Sequence, residues 1–210
     1  IWISYLINVF LEKLTFMTKN SQIMSDARES LTGKWPLAIG TFLILLLITM
    51  GTSLIPYAGQ IISLLISGPL AVGGAFFALN IVRDQQAKND DLFFSFNNNL
   101  GNSILAYLLV FVFVFIGFIL LIIPGIIVGL ALSQTWFILA DNPSMDSYSA
   151  VIKSKDMMNG FKWQYFKIGL RLFVLGLLCL LTLGIGFLWL IPYQYVVYAK
   201  FYEEVKAANS

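Results

Sequence analysis

Three stretches of this chain carry no Asp, Glu, Lys or Arg: 48 residues between Lys34 and Arg83, 49 between Asp91 and Asp141, and 28 between Arg171 and Lys200. A water-soluble helix shows one polar face to solvent and so cannot go that long without charge. The charges that exist, 11% of the chain against 59% apolar residues, are gathered into clusters, whereas an ordinary globular domain spreads about a quarter of its residues as charge. Crossing a bilayer as a helix takes about 20 apolar residues, and only helices or closed barrels satisfy their backbone in lipid. Each of the two longer runs therefore holds two spans and a tight turn, near Pro56 and Pro124. The fold class that follows is an all-α polytopic membrane protein.

The third run is too long for one span and too short for two. If the fifth span starts near Trp163, Lys167 and Arg171 lie in its first turns and snorkel to the headgroups, leaving Thr182 to Gly186 as a turn and giving six spans. The rival is one long tilted helix, five spans and a C-terminus on the opposite face. Six spans is the reading adopted. Under it all 13 Lys and Arg residues share one side, which the positive-inside rule makes cytoplasmic. Both termini are then cytoplasmic and the location is the plasma membrane. Short outer turns have little room for charge, but Lys153, Lys155, Lys162 and Lys167 in one loop are a real excess. Trp35, Tyr57, Trp136, Trp163, Trp189 and Tyr193 fall near expected span ends, as interfacial aromatics do.

Residues 1–24 read as an N-terminal extension, 25–204 as the six-span membrane domain and 205–210 as a tail. Ile1 to Phe16 lacks the basic start and cleavage site of a signal peptide. It reads as an interfacial helix or as non-native sequence, with translation expected to start at Met17, since Leu11-Glu12-Lys13 can be encoded by a purine-rich ribosome-binding stretch. An internal repeat of about 65 residues emerges along the domain. Arg28 to Trp35 precedes the first hairpin, Lys155 to Trp163 the third, and Phe93 to Asn102 is a weaker middle match. Each unit reads as a cytoplasmic amphipathic helix, a break at Gly33, Asn98 or Gly160, and a two-span hairpin. An even number of spans per unit makes the repeats parallel.

Few groups could do chemistry. Histidine is absent and Cys179 is the lone cysteine, which excludes a Ser-His pair, an HExxH zinc site and an intramolecular disulfide. Asp90-Asp91 and Glu203-Glu204 are the only adjacent carboxylates and read as solvated charge. No ionisable group sits at the middle of a span, which argues against an ion pump. The chain is therefore expected not to be an enzyme, and to need no cofactor and no metal. Ser133, Gln134 and Thr135 form a polar patch in the fourth span, where an unpartnered amide is costly. Interhelical hydrogen bonding is the first reading of that patch and a substrate pathway the second. Ser63, Ser67, Ala71 and Ala75 recur every four residues along the second span, a stripe of small side chains that lets another helix approach. Pro69 within it should bend the helix.

A third candidate region follows the fourth span. Asp141 and Asn142 end it, Pro143 stops the helix, and Ser144 can cap a new one. Tyr148, Val151, Ile152 and Met158 then recur at helical spacing beside Lys153 and Lys155, so the segment Ser144 to Asn159 reads as a helix lying on the inner leaflet. Gly160, Lys162 and Trp163 complete this interfacial motif.

Several of these stretches together resemble a bacterial integral membrane family catalogued as domain of unknown function 975. The resemblance rests on Ala27 to Leu31 with Trp35, Ile122-Ile123-Pro124-Gly125-Ile126, Ile138 to Pro143, Ser154 with Met157 to Trp163, and Leu181 to Gly186 with Pro192-Tyr193, over roughly Ser25 to Glu204. It implies six spans in the plasma membrane and a distant similarity to the membrane domain attached to some glycerophosphodiester phosphodiesterases. It brings no catalytic residues, and Ile1 to Phe16 departs from its pattern.

The function expected is a non-enzymatic membrane component that binds or passes a lipid-like or peptide substrate, as an accessory to a transporter. The alternative is a structural or regulatory membrane protein acting through helix contacts. Expected partners are membrane lipids and another membrane protein or a second copy of the chain, with no nucleic acid.

Overall fold

The computed structural model describes residues 20–56 and 58–209, which form helices and turns with no strand among them. The expected extension up to Lys19, the Met17 start and Tyr57 lie outside the described residues. In chain order the helices are α1 (Asn20–Ser30), α2 (Trp35–Ser53), α3 (Ala58–Val82), α4 (Phe94–Asn98), α5 (Leu100–Leu120), α6 (Ile122–Ala131), α7 (Thr135–Asp141), α8 (Ser147–Met157), α9 (Lys162–Leu181) and α10 (Phe187–Ala208), with a 3-10 turn at Asn89–Phe93. Five segments are long and apolar enough to cross a membrane: Trp35–Thr52, Ala58–Val82, Leu100–Leu120, Ile122–Asp141 and Lys162–Leu181. They fit a multi-pass membrane protein. Their outward faces carry a band of exposed apolar side chains, including Phe115, Ile123 and Leu178, which water would not tolerate over so large a patch.

The breaks between helices are made by identifiable backbone devices. Gly33 and Gly160 adopt φ of +78° and +87°, a conformation that suits glycine, and each ends a short helix just before a long one. The pattern α1–break–α2 recurs as α4–Asn99–α5 and as α8–break–α9. Between α9 and α10 the chain turns at residues 182–186, where Gly184 has φ +87° and its N–H reaches the Cys179 carbonyl. The α5–α6 turn lies at Leu121, three residues before the expected Pro124. Leu121 is extended, and a Cβ on Gly117 would come 2.9 Å from the Gly125 Cα. Bare backbone on both sides lets the chain reverse in one residue, and Pro124 is tolerated because it falls in the first turn of α6.

Helix α3 is the centre of the bundle, packed against α2, α5, α7 and α10. Its intimate contacts come from glycines rather than from the Ser/Ala stripe. A Cβ on Gly68 would strike the Ser103 carbonyl of α5, one on Gly73 the Leu92 carbonyl, and one on Gly74 the Tyr195 ring. Leu92 is fully buried there, and Phe94 stacks on Phe76 at 3.8 Å between centroids. The core, with Phe77, Ile138, Leu139 and Tyr202 at its heart, lies toward the end of the bundle where α3, α7 and α10 meet.

Helix α8 departs from the expectation of a segment lying on the leaflet. Its cap is Asp146, whose carboxylate accepts from the Ser149 N–H at 3.0 Å, rather than Ser144. Val151 and Met158, expected to dip into lipid, are buried inside the protein, while Tyr148 is exposed. The buried face is Ser147, Ala150, Val151, Ser154 and Met157, packed on α5 and α7. Apolar spacing alone cannot say whether a helix face meets lipid or protein, and here small side chains allow the closer partner.

Candidate functional site

The fourth span is two helices. It breaks at residues 132–134, on the polar patch. Ser133 Oγ donates to the Leu130 carbonyl at 2.9 Å and Thr135 Oγ1 to the Leu132 carbonyl at 2.8 Å, local bonds that compete with the helical ladder. The backbone groups freed by the break are met from α8. Ser154 Oγ donates to the Ala131 carbonyl at 2.9 Å and accepts from the Gln134 N–H at 3.1 Å. The Gln134 side chain is fully buried. Its Nε2 donates to Ser133 Oγ at 3.0 Å, and its Oε1 has no hydrogen-bond partner.

Ser133 opens onto an inner cavity of about 260 Å³, lined also by Ala71, Ala75, Trp136, Tyr165, Gln194 and Tyr198. On its wall the Tyr165 and Tyr198 rings stack at 4.8 Å between centroids. No acid or base lines it. A second, outer cavity of about 470 Å³ lies between the α2–α3 turn and α5, lined by Thr52, Gln60, Ser63, Ser67 and Tyr107. The stripe on α3 therefore lines cavities: Ser63 and Ser67 the outer one, Ala71 and Ala75 the inner one. Ser63 Oγ donates to Thr52 Oγ1 at 2.8 Å, and Ser67 Oγ to the Ser63 carbonyl at 2.5 Å. Trp136, expected at an interface, lines the inner cavity instead, with its ring 6.0 Å from that of Tyr107.

At the charged end of the bundle, Asp141 joins three parts of the chain. Arg83, just beyond α3, reaches Asp141 at 2.7 Å and Glu203 at 2.6 Å. Lys206 meets the other Asp141 oxygen at 2.5 Å, and the Tyr202 hydroxyl donates to it at 3.0 Å. Partial burial pulls the Arg83 guanidinium down, but hydrogen bonds to Asp141 and Glu203 outweigh it and hold it above its ordinary value. Glu203 is therefore an ion-pair partner and not the solvated charge expected. Asp91 likewise accepts from Asn80 Nδ2 and from the Lys88 N–H, both at 2.9 Å. Each carboxylate was misjudged because its partner lies far away in sequence or on a helix end.

The remaining interfacial residues scatter. Asn142 closes α7 through its N–H and side-chain amide to the Ile138 carbonyl, and Pro143 stands in the turn that follows. Met158 is buried, Gly160 makes the break, Lys162 begins α9, and exposed Trp163 stacks on Phe166 at 5.3 Å. The structure thus brings Ser133, Ala71 and Ala75 to one cavity and leaves Asp141 apart from Trp163. Sequence reasoning missed Tyr165, Gln194 and Tyr198. A signal was present, since Gln194 is the one carboxamide inside the last charge-free run, with Tyr198 one turn on.

Chemically, the inner cavity offers hydroxyls, an amide and aromatic rings, which can hold an uncharged hydrogen-bonding group. Among the described residues, no three His, Cys, Asp or Glu side chains come together as a metal site would need.

No curated protein and no solved structure matches the chain. One family does, in two overlapping stretches, residues 17–122 and 108–209, so that nearly the whole chain is covered. The chain belongs to the family described as "Protein of unknown function (DUF975)".

Proposed function

We propose that this protein is a non-enzymatic component of the bacterial plasma membrane that binds or passes an amphipathic, lipid-like or peptide substrate, with its head group in the inner cavity. The observation that carries this reading is the cavity itself. It is a space lined by aromatic rings and alanines with a few hydroxyls and one amide among them, at a break in a span whose own backbone is satisfied from elsewhere. Irregular backbone at membrane depth is tolerated where it lines a cavity. Asp141 and Glu203 are already neutralised by Arg83 and Lys206, which takes this pair out of acid–base work and supports the non-enzymatic reading.

The test is native mass spectrometry of the purified protein, with Ala71→Phe as the variant. Ala71 is half-buried on the cavity wall, so a phenyl ring there fills the space without entering the core. Bound amphiphile should fall while thermal stability holds. Unchanged occupancy would overturn the proposal and favour the alternative, a structural or regulatory protein acting through helix contacts. Glycerophosphodiesters belong among the compounds offered, to test the distant similarity suggested above, and with no Lys or Arg in the lining their anionic phosphate should bind poorly.

The proposal includes six spans with both termini cytoplasmic and three parallel hairpin units, each led by its short helix. The turn at residues 182–186 and the length of α10 support it. A C-terminal alkaline phosphatase fusion should be inactive, and an active one would put the C-terminus outside.

A further inference from the structure

The two cavities lie along one face of one helix. Ser63 and Ala75 are twelve residues apart on α3, about 18 Å at the helical rise. Ser67 faces the outer space, and Ala71, the next residue on that face, faces the inner one. Tyr107 of α5 borders the outer cavity and Trp136 of α7 the inner, and their rings lie 6.0 Å apart. Beside them the wall is closed, because Gly68 lets α3 press directly on the Ser103 backbone. Trp136 sits two residues beyond the break in the fourth span, on a helix of seven residues rather than on a continuous one.

The lining also limits what can pass. Neither cavity is lined by Asp, Glu, Lys or Arg, and the chain has no His. An anion would find no counter-charge there. A cation would find aromatic faces alone, and these return far less than the cost of stripping an ion of water. An uncharged head group, by contrast, meets hydroxyls and amides at both stations.

We propose that the two cavities are successive stations on one route for the uncharged, hydrogen-bonding head group of an amphiphile, and that the Tyr107–Trp136 contact is the partition between them. This rests on the reading of the inner cavity as a substrate site.

The experiment uses the full chain in proteoliposomes, with Cys179→Ser to remove the native thiol and a reporter at either station, Ser67→Cys or Ser133→Cys. Three methanethiosulfonates of similar size serve as probes: one neutral, one cationic and one anionic. The outer reporter should react with all three. The inner one should react with the neutral probe and at least about tenfold more slowly with both charged probes. Trp136→Ala should raise the neutral rate at Ser133→Cys about tenfold and leave Ser67→Cys unchanged, while Trp136→Phe, which keeps a ring in place, should not. Tyr107→Leu removes the other half of the contact and should give the same gain, so the partition is tested even if Trp136→Ala fails to fold. Charged probes as fast as neutral at the inner reporter, or an inner rate indifferent to both Trp136→Ala and Tyr107→Leu, would overturn the proposal. Either failure leaves the Ala71→Phe binding result standing, so the two readings fall separately.

Discussion

Asp141 is the residue whose loss should be felt most at the charged end of the bundle. Its side chain is 10% exposed and takes Arg83, Lys206 and Tyr202 together. Asp141→Ala leaves two cations facing one anion, with the Tyr202 hydroxyl deprived of its acceptor. Removing one member of a buried ion pair costs about 3–5 kcal/mol because the other stays charged and unpaired. Here Lys206 is 47% exposed and can turn to water, and Arg83 keeps Glu203, so the lower end, about 3 kcal/mol, is expected. Arg83→Met should cost less, about 2 kcal/mol, since Asp141 keeps Lys206 and Tyr202 while Glu203 reaches solvent. Lys206→Met, at the exposed rim, should cost about 0.5 kcal/mol. With about 2–4 °C per kcal/mol for a chain of this size, Asp141→Ala should lower the melting temperature by about 6–12 °C. Tryptophan fluorescence in detergent measures it. The double variant Arg83→Met with Asp141→Ala should cost less than the sum of the two, as contacting residues do. If Lys206→Met proved as damaging as Asp141→Ala, the ranking by burial would be refuted.

Other substitutions test the packing that forms the cavities. Ser154→Ala strips the Gln134 N–H and the Ala131 carbonyl of their partner, and should destabilise by about 1–3 kcal/mol, the cost of a buried unsatisfied backbone group. Hydrogen exchange should localise the loss to residues 131–135, and a global loss without local opening would contradict it. Gly73→Ala drives a methyl into the Leu92 carbonyl and should cost at least about 1–3 kcal/mol. Gly129→Ala on α6 meets nothing within 4 Å, and should stabilise by about 0.5–1 kcal/mol through helix propensity. Equal melting temperatures for these two variants would discredit the close approach of α3 to its neighbour. Two carboxyls outside the spans are held below their ordinary value of 3.8, Asp84 by the hydrogen bond and charge of Lys34 and Asp146 by Ser149 at the helix cap. A depressed pKa gives stability that is present above the unfolded value and lost as pH falls through the folded one. Stability should therefore be flat with respect to these groups above about pH 5 and decline below about pH 4. The Asp84→Asn/Asp146→Asn double variant should show a shallower acid decline in a melting series from pH 3 to 7, and an unaltered profile would count against the assignment.

The charge-free runs made the helical spans legible, because a membrane span announces itself by the absence of charge over about 20 residues. Gly33 and Gly160 were legible as breaks because a left-handed backbone position selects its residue. The six-fold count was not decided in the same way. The last helix carries Lys200, Glu203, Glu204 and Lys206 in its second half, besides Gln194 and several tyrosines, and falls short where the five others pass. Of these, Gln194, Tyr195 and Tyr198 stand in the cavity wall.

What the sequence by itself determined is the class of protein, the approximate ends of its helices and the absence of histidine chemistry. Each of these follows from residue type and spacing along one chain. Tertiary structure alone decided which faces meet. The small-residue stripe on α3 became cavity wall because the glycines beside it, at 68, 73 and 74, took the close contacts. Val151 met protein rather than lipid because Ser154 on the same helix found the broken backbone at Gln134. Asp141 found Arg83 and Lys206, 58 positions before and 65 after it. The physical reason is common to all three. Helical periodicity says which side chains share a face, but lipid and protein are equally apolar partners for that face, so the choice is made by shape and hydrogen bonding between segments distant in the chain.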